Sequence, residues 1–203
     1  LSGYIQDKPI EALPERSYER KLALNNIIKY CNVNDIKTII VLGDTLHNKS
    51  IIYVDAQNVL LDLIRNNPDI VFIFIDGNHD LSGKGDKVKS ALKSIDNEPN
   101  VKRIGIEVEF EQIGDCLFIP YSPNMVNHIK TKSSKYLFAH FGLNEATLSS
   151  GISIVSNISL RDLVGHYEYV ILGHYHKPQE IINEDIKLYY AGSIVQSDWS
   201  EKN

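Results

Sequence analysis

The chain has 203 residues, of which 43% are hydrophobic, and this content favours a folded core over disorder. A formal net charge of −5 argues against a protein that coats nucleic acid unaided. The two cysteines, Cys31 and Cys116, form no disulfide framework, and no apolar run is long enough to cross a bilayer. We therefore expect one domain over residues 1–203, in the cytoplasm and without membrane attachment.

Amphipathic helices and apolar strands alternate in the first half of the chain. A helix is predicted from Glu15 onward, because four apolar residues recur at helical spacing. They are Leu24, Ile27, Ile28 and Cys31. A strand over 37–42, a helix over 54–66, a strand over 70–75 and a third helix over 84–95 follow. The strand at 70–75 is apolar throughout, so we expect it to be buried on both faces.

The second half has a more antiparallel character. Strict alternation over 106–111 predicts a half-exposed strand, with 115–119 as its hairpin partner. The other predicted elements are short helices near 122–131 and 158–164, strands over 136–139 and 169–172, and a hairpin of 180–182 with 188–190. This order indicates an α/β fold in which two packed mixed sheets are flanked by helices.

Four of the predicted strands run directly into residues that can bind metal ions. In chain order these are Asp44 and His47 after strand 37–42, Asn78, His79 and Asp80 after strand 70–75, His140 after strand 136–139, and His174 and His176 after strand 169–172. Ligands of open α/β sheets bind at the carboxyl ends of strands. Residues 76–80 alone would also suit an ordinary turn, but the repetition over four strands favours a shared site.

These donors form a mixed oxygen and nitrogen set without cysteine. Such a set suits manganese, iron or zinc better than calcium, and it specifies no single metal. Two cations about 3.5–4 Å apart would clamp the attacking and leaving oxygens at phosphorus and activate a water molecule near neutral pH. If Asn78 binds metal, the adjacent His79 is free to donate to the phosphate or protonate the leaving group. Asp80 would then hold the tautomer of the His79 ring.

Four sequence blocks resemble the calcineurin-like metallophosphoesterases. They are Gly43-Asp44-x-x-His47, Gly77-Asn78-His79-Asp80, His140 before Phe141-Gly142, and Gly173-His174-Tyr175-His176. Within this superfamily the chain is most similar to the DNA double-strand-break repair nucleases, the SbcD-like exonuclease subunits including phage versions. The segments 188–193 and 198–201 add to that similarity. The resemblance covers residues 37–176, most of the chain.

The resemblance implies a role for each matched residue. Asp44 would bridge two divalent ions, with manganese first and iron or zinc as alternatives. Asn78, His140 and His174 would complete one ion site, and His176 would serve the other. His79 would be the catalytic histidine, with Asp80 beside it. His47 would help to position DNA; the alternative is a histidine that caps a loop or supports the ligands from behind.

The same resemblance implies the function and the partners. We expect metal-dependent hydrolysis of DNA phosphodiester bonds in repair or recombination, with DNA, an SMC-like ATPase subunit and a second copy of the chain as partners. The location would be the cytoplasm, or the host cytoplasm for a phage protein. One alternative is a phosphatase or phosphodiesterase acting on a protein, nucleotide or small molecule. A scaffold without activity is a third.

Two further expectations concern the start of the chain and a group of lysines. The family opens with an Asp-x-His motif, which does not precede Asp44, so we expect it to be encoded just before Leu1. We also expect the family's last strands to lie beyond Asn203. The lysines of the predicted third helix would either be solvated or approach a phosphate backbone. They are Lys84, Lys87, Lys89 and Lys93.

Overall fold

The computed structural model of the chain describes residues 15–46, 51–148, 150–152 and 155–194. Within them, helices and strands alternate first and strands dominate afterwards, as the sequence predicts. The helices are α1 (Glu15–Val33), α2 (Val54–Arg65) and α3 (Met125–Thr131). The strands are β1 (Thr38–Val41), β2 (Val71–Ile75), β3 (Leu81–Ser82), β4 (Lys89–Ser90), β5 (Val101–Ile104), β6 (Glu111–Ile113), β7 (Cys116–Ile119), β8 (Ser134–His140), β9 (Tyr167–Gly173), β10 (Gln179–Ile182) and β11 (Lys187–Tyr190).

Two sheets form the centre of this part of the chain. A three-stranded sheet has the order β1-β2-β5 and is parallel throughout. A six-stranded sheet has the order β10-β11-β9-β8-β7-β6, with parallel pairs at its centre and antiparallel pairs at both edges. The predicted α/β class with two sheets and flanking helices is confirmed, although the smaller sheet is parallel rather than mixed.

The strand β2 shows how the layers pack. Phe72 and Phe74 belong to the core between the smaller sheet and the helices α1 and α2. Ile73 and Ile75 point the other way and pack with Phe118 of the larger sheet. Alternate side chains of a strand point to opposite faces, so the prediction of a strand buried on both faces is confirmed.

The larger sheet separates this inner core from a second one. Phe138 of β8 stacks on Phe118 in the core between the sheets, with 5.0 Å between ring centroids. Leu137 and Ala139 point outward and pack with Ile129 of α3. The layers therefore follow the order helices, smaller sheet, larger sheet and α3, with the strand ends meeting along one edge.

The prediction of a helix over residues 84–95 is wrong. The segment contains two short 3-10 turns, Gly85–Lys87 and Ala91–Ile95, separated by β4. Gly83 and Gly85 adopt positive φ angles, which interrupt a helix. The Ala91 N–H donates to the Asp80 carbonyl instead of an intrahelical partner (2.8 Å). Tertiary contacts therefore override the helical periodicity.

The predicted strand at 106–111 is also wrong in its position. Residues 105–110 form a turn between β5 and β6, and Glu109 has a φ of 64°. The predicted hairpin is partly recovered, because Glu111–Ile113 pairs antiparallel with β7. The Ile106 N–H donates to the buried Asp76 carboxylate (3.1 Å) rather than to a neighbouring strand, and this hydrogen bond holds the segment in a turn.

Smaller differences concern the ends and faces of helices. The predicted helix near 158–164 is one 3-10 turn, Leu160–Asp162, closed by reciprocal hydrogen bonds with Ser159. Cys31 is buried, but Ile27 on the same predicted face is 36% exposed. Among the described helices, none combines the length and apolar character that a bilayer span requires.

Candidate metal centre

Two sheets contribute side chains to one cluster at their carboxyl edge. Asp44 and Asn78 follow β1 and β2 of the smaller sheet, and His140 and His174 end β8 and follow β9 of the larger sheet. The pairing of β8 with β9 sets His140 opposite Gly173. Donor atoms of Asp44, His140 and His174 all lie within 4.8 Å of one another. These three residues can therefore hold a metal ion together.

His140 is fully buried, and its two ring nitrogens face different partners. Nδ1 lies 2.7 Å from the Leu42 carbonyl oxygen. A carbonyl oxygen can only accept a hydrogen bond, so Nδ1 is the protonated nitrogen and donates the hydrogen bond. In the neutral ring, Nε2 is then an acceptor. It lies 3.1 Å from Asn78 Oδ1 and 3.2 Å from Asp44 Oδ2. A proton on Nε2 would bond to Asp44, whereas in the neutral ring the Nε2 lone pair and the two oxygens converge on one point that a cation can occupy.

His174 completes this cluster from the next strand. Its Nδ1 lies 3.2 Å from Asn78 Oδ1, and its ring meets that of His140 edge-on at 5.1 Å between centroids. Burial, together with the neighbouring His140, lowers the pKa of His174 to about 4. The ring is therefore neutral at pH 7, which leaves a nitrogen lone pair free to bind metal.

Asp44 supplies the negative charge of the cluster. Burial raises the pKa of Asp44, but the hydrogen bond and charge interaction with His140 outweigh burial and lower the pKa below its ordinary value. The carboxylate is therefore ionised at neutral pH. One carboxylate, one amide oxygen and two imidazole nitrogens form a donor set that fits manganese, iron or zinc.

Two of these ligands have positive φ angles, as Asp35 and Glu109 do elsewhere in the described residues. Asp44 has a φ of 51° and His174 a φ of 94°, a region that residues other than glycine rarely adopt. The two strained residues lie on opposite sheets and face the same point. Strain of this kind persists where the surrounding structure enforces it and is concentrated at functional sites.

Two glycines allow the sheets to approach at the cluster. A Cβ atom on Gly173 would collide with the Leu42 carbonyl and lie 2.9 Å from His140 Nδ1. A Cβ atom on Gly43 would collide with the same ring nitrogen. Close backbone approach therefore requires glycine at both positions, and it creates the hydrogen bond that orients His140.

Asp80 holds two ligand-bearing loops together. It is fully buried, and its carboxylate oxygens accept from the N–H groups of Leu46 and Gly77, both at 2.9 Å. Burial raises the pKa of Asp80 to about 6, and these two hydrogen bonds offset part of that rise. The hydrogen bonds explain how the loops after β1 and β2 stay in register. Orientation of the His79 ring by Asp80 stays a prediction.

A second buried carboxylate, Asp76, supports the same loop and was not predicted from the sequence. It accepts from Arg103 (2.9 Å), Ser90 Oγ (2.8 Å) and the Ile106 N–H. Burial raises the pKa of Asp76, and the charge of Arg103 offsets part of that rise. The signal in the sequence is an aspartate placed directly after a fully apolar strand.

The remaining predicted site residues lie around this cluster or outside the described residues. The His79 N–H donates to Asp44 Oδ1 (2.7 Å), and its half-buried side chain interacts electrostatically with Asp44 and His174. His176 is exposed and interacts with His174, but it does not belong to the group of three that can share an ion. His47 lies outside the described residues.

Comparison with known proteins gives a distant structural likeness. No protein-family model matches the chain. Among solved structures, it is similar to the nuclease MPE of Pseudomonas putida, with a TM-score of 0.44 and 15% sequence identity. The alignment covers 84% of this chain and 64% of that nuclease, so the chain spans less than two thirds of its length. A likeness this distant carries no argument about function.

Proposed function

We propose that this chain is the metal-binding core of a phosphodiesterase and that its substrate is DNA. The observation that carries the proposal is the convergence of Asp44, Asn78, His140 and His174 from four strands. The cluster combines one ionised carboxylate with the uncharged Asn78 amide and the neutral His174 ring. Bound cations would therefore keep a net positive charge, which attracts the anionic phosphodiester.

The chain's residues have distinct roles in this proposal. Asp44, Asn78, His140 and His174 would hold one divalent ion, and Asp44 and His176 would contribute to a second. When bound, such a pair of ions lowers the pKa of water and neutralises charge that develops on phosphate oxygens. The positive φ angles and the Leu42 hydrogen bond fix the direction in which Asp44, His174 and His140 point.

His79 is the proposed catalytic histidine. Its backbone is fixed by the hydrogen bond to Asp44, while its side chain stays partly accessible beside the cluster. An imidazole at this position can donate a proton to a non-bridging phosphate oxygen or to the leaving oxygen. His79 therefore acts on the substrate, whereas its neighbour Asn78 acts on the ion.

The choice of DNA rests on the family resemblance and on nearby positive charge. Lys84, Lys87, Lys89 and Lys93 are all exposed on the segment that follows the Asn78-His79 loop. They lie on short turns and on β4 rather than along a helix, and lysines there would contact phosphates flanking the cleaved bond. In the cell, an SMC-like ATPase subunit would provide most of the DNA binding.

The test compares three substrates with manganese, iron or zinc supplied separately. Linear DNA, a chromogenic phosphodiester and a phosphomonoester are incubated with the protein, and products are separated on gels or measured by absorbance. Cleavage of DNA and the diester that requires added metal supports the proposal. Turnover of the monoester without DNA cleavage would favour the phosphatase alternative. Absence of metal binding and of all turnover would favour a scaffold.

A further inference from the structure

A cleft beside the candidate metal centre has no role in the phosphodiesterase function described above. It is a cavity of about 390 Å³, and Asn78 belongs both to its wall and to the metal-binding cluster. Tyr121 and Ser122, which follow β7, also line the cleft. A group bound in the cleft would therefore lie directly next to whatever the cluster binds.

The chemical character of the cleft differs from that of the cluster. None of its lining residues carries a charge, and Leu81, Val88 and Ile106 contribute apolar surface. Tyr121 is 39% exposed, so a large part of its side chain remains accessible. A neutral, flat and partly apolar group suits such a wall, whereas a phosphate does not.

The cleft walls are held in place before any ligand binds. The Tyr121 N–H donates to the Asp76 carbonyl (2.8 Å), and the Ile106 N–H donates to the Asp76 carboxylate. Asp76 thus joins β2, the turn after β5 and the end of β7 at one point, two residues before Asn78. Because the walls are already ordered, the protein loses little conformational entropy when a ligand binds.

One polar group in this wall lacks a partner. Ser122 is 7% exposed, and its hydroxyl has no hydrogen-bond partner among the described residues. Buried hydroxyls are nearly always bonded, so the unbonded Ser122 hydroxyl is a candidate contact for a ligand in the adjacent cleft once its side chain turns toward it. The exposed Lys84, Lys87 and Lys89 lie on the segment that borders the cleft through Gly83 and Val88.

From these observations, and resting on the proposed phosphodiesterase function, we propose that the cleft binds the nucleoside next to the cleaved phosphate. The nucleobase stacks on Tyr121, and the Ser122 hydroxyl bonds to a polar group of the same nucleoside. The phosphate then lies at Asn78 and the metal cluster. Tyr121 thereby favours nucleotide diesters over simple diesters, because only a nucleotide has a base that can stack on the ring. Every nucleobase can stack in this way, so the preference does not depend on base sequence.

The experiment measures preference rather than activity alone. Thymidine 5′- and 3′-(p-nitrophenyl phosphate) are compared with p-nitrophenyl methyl phosphate, which has the same leaving group and no nucleoside. Tyr121→Ala should lower the ratio of kcat/KM for the better thymidine ester to that for the methyl ester by roughly 5- to 100-fold. Tyr121→Phe should retain the ratio, since the ring remains.

A matched control and an independent readout separate the two proposals. Tyr30→Ala removes a tyrosine that is 63% exposed on α1, outside the cleft, and should leave the ratio unchanged. Binding of thymidine 5′-monophosphate is followed by saturation-transfer NMR without requiring turnover. An unchanged ratio in Tyr121→Ala overturns the nucleoside site. If the wild type hydrolyses neither ester, the phosphodiesterase proposal fails, and loss or retention of nucleotide binding in Tyr121→Ala then decides the site.

Discussion

The two sheets contribute different chemistry to the candidate metal centre and hold it by different means. The smaller sheet supplies oxygen donors, Asp44 and Asn78, on loops that the buried carboxylates Asp76 and Asp80 tie together. The larger sheet supplies nitrogen donors, which lie at or next to strand ends. Oxygen ligands therefore depend on hydrogen-bonded loops, and nitrogen ligands depend on strand register and close backbone approach.

This difference explains why neither sheet can form the site alone. Each sheet brings only part of the donor set, and a cation between the sheets would bind both parts. The Leu42–His140 hydrogen bond links the two sheets directly behind the donors. Mutations in either sheet should therefore affect the same metal site. Those in the smaller sheet should also lower protein stability, and those in the larger sheet should mainly lower metal affinity.

The largest effect is expected from removing a ligand on either side. Asp44→Asn and His174→Asn keep a residue that tolerates a positive φ, whereas alanine would add strain. Both variants should lose nearly all bound metal, measured by elemental analysis, and activity should fall to the assay background. His166→Asn changes a histidine outside the cluster and is the control. Full metal content in either ligand variant would contradict the assignment.

His79 should separate catalysis from metal binding. We expect His79→Ala to lower kcat by roughly 10²- to 10⁴-fold, the usual range for a general acid or base. Metal affinity should persist, because the side chain is proposed to face the substrate. Calorimetric titration with manganese, run beside the kinetic assay, checks both parts. Loss of metal together with activity would make His79 a ligand instead.

The buried ion pair of Arg103 with Asp76, which holds the loop after β2, should contribute to protein stability. Arg103→Met leaves Asp76 buried without its ion-pair partner, and we expect the free energy of unfolding to fall by roughly 3–5 kcal/mol. Urea denaturation measures the change. Lys37→Met breaks an ion pair with Asp35 in which both side chains are exposed, and it should have little effect, because solvent screens that pair. Similar losses in both variants would exclude a special role for Asp76.

The close approach of Gly173 to the Leu42 carbonyl should influence metal affinity. Gly173→Ala pushes against the Leu42 carbonyl and disturbs the orientation of His140, so manganese affinity should fall roughly 10- to 100-fold. Gly165→Ala is the control, since a Cβ there meets no atom within 4 Å and adds only local backbone strain. Equal manganese affinity in the two variants would show that the sheet separation is not critical.

The smallest effect concerns the lysines beside the smaller sheet. Lys87→Glu combined with Lys89→Glu should weaken DNA binding and reduce its salt dependence by roughly one unit of slope for each lysine–phosphate pair that the change removes. Turnover of a small chromogenic diester should persist. Lys21→Glu with Lys29→Glu makes the same charge change on exposed positions of α1 and is the control. If the salt dependence of DNA binding had the same slope in both double variants, the DNA would contact a different part of the surface.

Polar residues at strand ends predicted which side chains cluster better than helical periodicity predicted the elements around them. The same rule, extended to β7, would also have drawn attention to Tyr121 and Ser122, which follow that strand at the same edge. Residues 84–95 fit a helix by periodicity but form turns around Gly83 and Gly85. Residue patterns predict secondary structure correctly where a strand is fully apolar. They predict it wrongly where buried polar atoms form hydrogen bonds with the backbone.

The sequence by itself determined the α/β class, the apolar strands and the donor residues that follow them, because these depend on hydrophobic periodicity and on turn chemistry over a few residues. Only the tertiary structure decided which donors meet, that oxygens come from one sheet and nitrogens from the other, and that Asp76 and Arg103 support them. The hydrogen bond that joins Leu42 to His140 spans 98 positions of the chain. Contacts over such distances depend on how the two sheets pack, and no local pattern of residues encodes them.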